Sequence, residues 1–541
     1  MNLSDLRPLR ALDYRLALAL AVILLVVGGW RLVPRVSGVF HDDAIYVITA
    51  KALAEGDGYR LINLPGAPPQ TKYPMLFPAV LAIIWKVWPA FPDNLIAMQM
   101  VSLVAAAAAM AITYLYLVRF AYCSRLTAGV GVLLALSTPT LLYVSTLTLS
   151  EMLFALLLVI ALWRVESDLR RATTPVAAQI VTGMILGAPY HCRTVGLPVA
   201  LVAIAVLAWR RKPVLWTLAG CLVTVVPWIA WTAVAAVRWQ TDPIIGYYTD
   251  YVAGWSPFSA QGPGVVAINF LLVCRDSVGL VLSGLDVALD AAGFRIARWL
   301  VFPGAYVLFH IARRSVGGRL LPCCLLAYVA MICLWPWPPW RFFVPVLPFM
   351  VVFVADTYGD MARRVLRDGR HRYLMASAAA IALALNLAFD VTTGRVSRQV
   401  GYPYHFAPDV IDRSAQPVSW SGFENMFRWV DSHVGQDEVV ASGLDTMLSL
   451  YTGRPAFRPW VHRPEALFYG SPHAKTGTPE EFLKILKDHR ARYLVTFPME
   501  GFSEADPFND LVQRVLEEHP GVLIAAYRGA DPRFTAYEIR W

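Results

Sequence analysis

The chain has 541 residues, of which 57% are hydrophobic and only 16% charged, and its mean hydropathy is +0.51. A soluble protein carries about 25% charged residues, so this composition excludes an ordinary soluble domain and indicates a polytopic α-helical membrane protein. The net charge of +9 does not signal nucleic-acid binding, because from Thr392 onward 16 Lys and Arg face 19 Asp and Glu. The basic surplus lies in the apolar part, where basic residues belong in cytoplasmic loops. Cys123, Cys192, Cys221, Cys274, Cys323, Cys324 and Cys333 all precede the polar C-terminal region, so no disulfide framework supports that region, and no CxxC pair indicates structural zinc.

Arg7, Arg10 and Arg15 precede an apolar run that reaches Gly29-Trp30 without a small-residue cleavage site. This start reads as a retained first transmembrane helix and signal anchor. Spanning roughly 30 Å of hydrocarbon takes about 17–25 apolar residues. Stretches of this kind fall near 14–33, 95–118, 126–145, 148–164, 175–190, 195–209, 214–237, 296–312, 320–336, 341–358 and 373–391. That makes about eleven transmembrane helices. Arg119 and Arg125, the Arg164–Arg171 turn, Arg210-Arg211-Lys212, Arg313, Arg314, Arg319 and the Arg363–Arg372 run all fall on the N-terminal side. The positive-inside rule makes that side cytoplasmic. An odd number of spans then sends the first outer loop (38–94), the His191 turn, the second outer loop (238–295), the Trp335–Trp340 turn and the region 392–541 to the extracytoplasmic face.

In the first outer loop, Ala44–Glu55 has helical spacing and stops at Gly56-Asp57-Gly58; the expected element is an amphipathic helix along the membrane surface. Lys72-Tyr73-Pro74 follows and leads back to the interface. The second outer loop combines Tyr247, Tyr248, Tyr251 and Trp255 with an apolar stretch near 264–289. Arg275 and Asp276 within that stretch favour an interfacial or re-entrant helix over a full span. Beyond the transmembrane module (1–391), the region 392–541 alternates helices (423–434, 444–451, 479–489, 507–518) with strands (438–441, 491–497, 521–527, 534–539). This pattern predicts a small α/β domain.

Charged residues at the mouth of a membrane protein are costly unless they serve a purpose. Asp42 and Asp43 stand just before the helical run of the first outer loop. Neighbours on a helix diverge by about 100°, so one acts while the other pairs or caps; a plain N-cap is the alternative. Tyr46 lies one turn beyond Asp42. Lys72, flanked by Thr71 and Tyr73, suits a lipid phosphate, with snorkelling to headgroups as its alternative. Glu151 stands at the outer start of the fourth span, facing a cavity or a partner, or simply serving the helix dipole. Arg193 lies on the side the positive-inside rule disfavours. Arg341 opens a helix, where a guanidinium opposes the macrodipole and calls for an anion. His462 and His473 are too far apart in sequence to form a metal signature.

Taken together, these residues resemble the GT-C superfamily of membrane glycosyltransferases, which includes protein O-mannosyltransferases and the aminoarabinose transferase of lipid A. The family's Asp-Glu-x-x-Tyr pattern reads here Asp42-Asp43-Ala44-Ile45-Tyr46, and its Lys-Pro-Pro-Leu-like motif reads Lys72-Tyr73-Pro74-Met75-Leu76. Ser150-Glu151, the Arg193–Leu197 turn and Arg341-Phe342-Phe343-Val344-Pro345 also match family elements. The resemblance implies an inverting transferase that takes a sugar from a polyprenyl-phosphate donor to a glycan, lipid or protein acceptor outside a bacterial-type plasma membrane. It implies catalytic roles for Asp42 and Asp43, with Asp42 as the general base. Lys72, Arg193 and Arg341 would bind the donor phosphate, and Tyr46, Tyr73 and Glu151 would line the substrate cavity. Asp43 replaces the family's glutamate, which leaves a metal role open; the sequence requires no cofactor, and a divalent ion remains an option. The rival classes are a transporter or flippase of a lipid-linked saccharide, which would concentrate polar residues at the membrane midplane, and a non-catalytic lipid-binding scaffold.

Overall fold

The computed structural model describes residues 6–235, 242–250, 255–291, 296–366, 369–404, 418–460, 469, 477–499 and 505–541. The chain divides into two compact units. The first comprises Met1–Leu32, Gln99–Ala230 and Pro263–Thr393; the second comprises Val33–Met98, Trp231–Gly262 and Gly394–Trp541.

The first unit is helical. The apolar helices Ala11–Arg31, Leu95–Arg119, Leu215–Ala235, Trp340–Val365 and Arg370–Val400 are long enough to cross a membrane, and a bent pair, Arg125–Leu136 with Pro139–Ser145, makes a sixth. The protein is an integral membrane protein on this account. The 67° bend in the pair follows from local chemistry. Pro139 has no N–H to continue the ladder, and the Ser137 and Thr138 hydroxyls donate to the Leu134 and Ala135 carbonyls at 2.9 and 2.8 Å. The remaining apolar stretches form the shorter helices Val176–Gly187, Gly196–Trp209, Val301–Ser315 and Leu320–Cys333, and the charged-ended helix Glu151–Arg170.

Glycines let some of these helices touch backbone to backbone. A Cβ on Gly183 would lie 2.0 Å from the Thr217 carbonyl oxygen, and one on Gly220 would lie 2.2 Å from that of Ile180, the close approach that small residues permit between membrane helices. The 264–289 stretch forms two helices, Gly262–Gly279 and Ser283–Ala291, with Arg275 Nε donating to its neighbour Asp276 at 2.8 Å. The last long helix continues to Val400, beyond the composition change at residue 392. Its Thr392 and Thr393 hydroxyls donate to the Ala388 and Phe389 carbonyls.

The second unit contains a small mixed sheet. Its strands are β1 (Val439–Ser442), β2 (Ala456–Phe457), β3 (Ala491–Thr496), β4 (Leu523–Arg528) and β5 (Thr535–Ile539), in the order β2-β1-β3-β5-β4. β1 pairs in parallel with β2 and β3, whereas β5 is antiparallel to β3 and β4. Helices Trp420–His433, Asp445–Thr452, Pro479–Asp488 and Ala505–Glu518 lie close to the expected positions. β2 has only two residues, too short for alternation to reveal, and the Ala456 N–H donates to the Asn63 carbonyl at 2.8 Å.

The helix of the first loop differs from its expectation. It runs Asp42–Glu55, ends at Gly56 with φ 95°, and buries Asp43 through Ala50 and Ala52. A helix buried on nearly every side is an interior element and not a surface-lying amphipathic one. Its neighbours explain the burial: helix Leu76–Val87 packs against it, as does Asp445–Thr452 from the C-terminal region. The alanine-rich composition that reads as weakly amphipathic is what a crowded interior helix requires.

Candidate active site

The residues singled out in the sequence fall into two polar clusters, one in each unit. In the second unit, Asp42 and Asp43 do different work, as their divergence on the helix requires. Asp43 is fully buried. Its Oδ2 accepts from the Gly38 and Val39 N–H groups at 2.7 and 3.1 Å, and its Oδ1 from that of Phe40 at 2.8 Å. The carboxylate thus gathers the backbone of the preceding loop. Burial pushes its pKa up, against the opposing pull of those three backbone donors.

Asp42 is only partly buried, and its Oδ1 accepts from the Tyr73 hydroxyl at 2.6 Å. Burial, together with the Asp42 charge, holds the Tyr73 phenol well above its ordinary pKa, so Tyr73 remains a donor. Tyr46 braces the pair, its ring edge-on to Tyr73 at 5.3 Å and to Phe77 at 5.2 Å. Lys72 is also partly buried. Its Nζ donates to the Tyr247 carbonyl at 2.9 Å and sits 4.6 Å from the centre of the Tyr247 ring, within cation–π range. Burial brings its pKa down to about 8, partly offset by the Asp42 charge. The segments 38–94 and 238–295 are tied here, because the Thr71 hydroxyl donates to the Thr249 carbonyl at 2.6 Å.

The first unit holds Glu151, Arg193 and Arg341. Glu151 is fully buried; its Oε1 takes Arg341 Nε at 2.6 Å and Arg193 Nη1 at 3.0 Å. Arg193 Nη1 also donates to Ser150 Oγ at 3.0 Å. The anion that an arginine at the Arg341 helix start demands is therefore the Glu151 carboxylate. The resemblance assigned both arginines and Lys72 to the donor phosphate; in the structure the two arginines meet Glu151 within the first unit, and Lys72 lies in the second.

Several residues of the second unit that the sequence did not mark complete its cluster. His41 precedes Asp42 and is buried, with Nε2 3.4 Å from Asp445 Oδ1. Asp445 Oδ2 accepts from Tyr248 Oη at 2.6 Å. Arg458 donates through its backbone N–H to Tyr248 Oη at 3.0 Å and through Nη1 to Tyr247 Oη at 3.1 Å. The paired tyrosines of the second loop were the only advance signal. Tyr251, His462 and His473 lie outside the described residues.

Asp43 faces N–H donors with both oxygens, and the charges acting on Lys72 are those of Asp42, Arg458 and Asp250. Elsewhere among the described residues, His310, Asp356 and Asp360 are close enough to share an ion, but Arg314 and Arg363 already pair with the two aspartates.

No protein-family profile matches the chain, and no curated protein matches it. Solved structures do. ArnT from Cupriavidus metallidurans, bound to undecaprenyl phosphate, is similar with a TM-score of 0.50 at 16% identity, covering 98% of each chain. AglB, the oligosaccharyltransferase of Archaeoglobus fulgidus, in complex with an inhibitory peptide and a dolichol-phosphate, is similar with a TM-score of 0.52 at 11% identity. That match covers 97% of this chain and 74% of AglB. A second structure of the Archaeoglobus fulgidus oligosaccharyltransferase, with Zn and sulfate, gives 0.51 at 12% identity over 96% of this chain and 73% of the other. Over nearly its full length, the chain has the fold of the GT-C membrane glycosyltransferases.

Proposed function

We propose that the protein is an inverting glycosyltransferase that moves a sugar from a polyprenyl-phosphate donor to an acceptor at the extracytoplasmic membrane face. The observation that carries this reading is the Asp42–Tyr73–Lys72 cluster: a partly buried carboxylate held by a phenol, with a partly buried ammonium beside it. The shared fold with structures bound to undecaprenyl phosphate and to dolichol-phosphate supports the donor class.

In this reading Asp42 takes the proton of the acceptor hydroxyl or amine as that atom attacks the anomeric carbon. The bond from the anomeric carbon to the phosphate oxygen breaks, and the polyprenyl phosphate leaves with the bonding electrons. Lys72 offsets the charge that develops on the leaving oxygen, a task for a preorganised cation in a water-poor site. Tyr73 holds Asp42, and Tyr46 supports Tyr73. Asp43 is assigned to the loop backbone and not to the proton transfer, because both of its oxygens already accept backbone donors. Arg193 and Arg341 remain proposed phosphate ligands; a phosphate there would share them with Glu151.

The eleven apolar stretches are proposed as eleven spans, with the N-terminus cytoplasmic and residues 392–541 outside. Among the described residues each stretch lies on helical elements, six of them, counting the bent pair as one, long and apolar enough to cross a membrane, and the one-sided arginines support the orientation.

The test is Asp42→Asn in membranes supplied with labelled polyprenyl-phosphate sugars. Loss of a general base lowers transfer by about 10²–10⁴-fold. Undiminished transfer by the folded variant would remove Asp42 from the mechanism. Substrate that crosses the membrane with its covalent form unchanged would favour the transporter reading.

A further inference from the structure

The turn leading into Asp42 is strained. His41 has φ 66° and ψ −52°, and the Asp42 N–H donates to the Phe40 carbonyl at 2.7 Å. This is a γ-turn with positive φ at its centre, a conformation that residues other than glycine adopt rarely and at a cost. Starting a helix does not require it. An Asp, Ser or Asn cap starts a helix without strain, and the His41 side chain makes no capping hydrogen bond.

Such a turn persists only where its surroundings over-determine it, and two sets of contacts do so here. On the N-terminal side, Asp43 draws in the N–H groups of Gly38, Val39 and Phe40. On the other side, the His41 ring lies against Tyr247 and Tyr248, with centroids 5.9 and 5.5 Å away, and its Nε2 is 3.4 Å from Asp445 Oδ1. Neither of those two atoms has a hydrogen-bond partner among the described residues. Asp445 is itself fully buried, and is fixed through its other oxygen by Tyr248 at 2.6 Å. Arg458 Nε stands 3.9 Å from Asp445 Oδ1.

We infer that His41, packed against Tyr247, Tyr248 and Asp445, is a positioning residue: the strained turn sets the direction in which the Asp42 carboxylate leaves the start of its helix. The C-terminal region then serves the reaction through Asp445 without touching substrate. This rests on the reading of Asp42 as the base. Misplacing a reacting group by about 1 Å costs on the order of 10²-fold in rate, so a small relaxation of the turn is enough to matter.

The experiment compares His41→Asn and Asp445→Asn with wild type and with Asp42→Asn, using the full-length protein in nanodiscs. Asparagine tolerates positive φ at position 41, and Asp445→Asn preserves shape, so two independent variants probe the same contact. Two quantities are read: transfer from labelled undecaprenyl-phosphate sugars, and the rate at which a water-soluble carbodiimide modifies Asp42, followed by peptide mass spectrometry. In both variants kcat falls roughly 10–100-fold while the donor KM stays within about twofold, the signature of a group that acts only in the transition state. Asp42, released from Tyr73, is modified several-fold faster, while Asp43 stays protected. A role confined to general stability would instead expose both carboxylates together and raise KM. An unchanged Asp42 modification rate overturns the inference whatever the transfer assay reads. Full transfer by Asp42→Asn withdraws the base assignment alone, and the modification rates still decide the positioning.

Discussion

Burial sets the working charge of Lys72. Because its surroundings bring the pKa from 10.5 down to about 8, the side chain is cationic at neutral pH and loses its proton within a range that a binding experiment can reach. Affinity for undecaprenyl phosphate is therefore expected to hold below about pH 7 and to decline as the pH rises through about 8. Lys72→Arg, which cannot be deprotonated in this range, should flatten that decline. A wild-type profile that stays flat to pH 9 would remove Lys72 from the anion site. The effect on stability has the opposite sense. Between about pH 8 and 10.5 the unfolded chain holds a proton that the folded chain has lost, so this group's contribution to stability rises with pH across that window. The aspartates show how far single residues were legible. Their adjacency implied divergent roles, and the structure gives Asp42 to Tyr73 and Asp43 to the loop. Nothing local marked His41 or Asp445, because their significance lies in a contact between distant parts of the chain.

At the scale of elements, helix Asp42–Glu55 is held by the loop before it and the helices around it. Gly38 makes the tightest of these joints. Its φ is 101°, and a Cβ there would lie 2.5 Å from the Met447 Cβ on helix Asp445–Thr452. Gly38→Ala combines a disfavoured backbone with an overlap that a packed helix cannot relieve. It is expected to destabilise the second unit by about 2 kcal/mol or more, read as a lower thermal midpoint in detergent; a midpoint equal to wild type would contradict this packing. The C-terminal helices and four of the five strands were legible from periodicity, because each is long enough to show its period. The buried character of Asp42–Glu55 was not. A helix covered by two neighbours needs no polar face, and its sequence therefore resembles that of a weakly amphipathic surface helix.

For the whole molecule, the second unit draws on three separate parts of the chain: 33–98, 231–262 and 394–541. Hydropathy and charge alone suggested a membrane module followed by a polar domain, and they also predict orientation. Ser432 is exposed on helix Trp420–His433, and all seven native cysteines are buried or partly so. Ser432→Cys should therefore react with a membrane-impermeant maleimide added to intact cells. Labelling that requires permeabilisation would reverse the proposed topology. By itself the sequence determined the membrane class and most helix positions, because hydropathy, charge and short-range period are properties of neighbouring residues. Only the tertiary structure decided that Arg193 and Arg341 meet on Glu151, that Asp43 binds backbone, and that Asp445 reaches the turn before Asp42. Those contacts join residues far apart in the chain, and their identity depends on which buried polar groups must satisfy one another once the fold has brought them together.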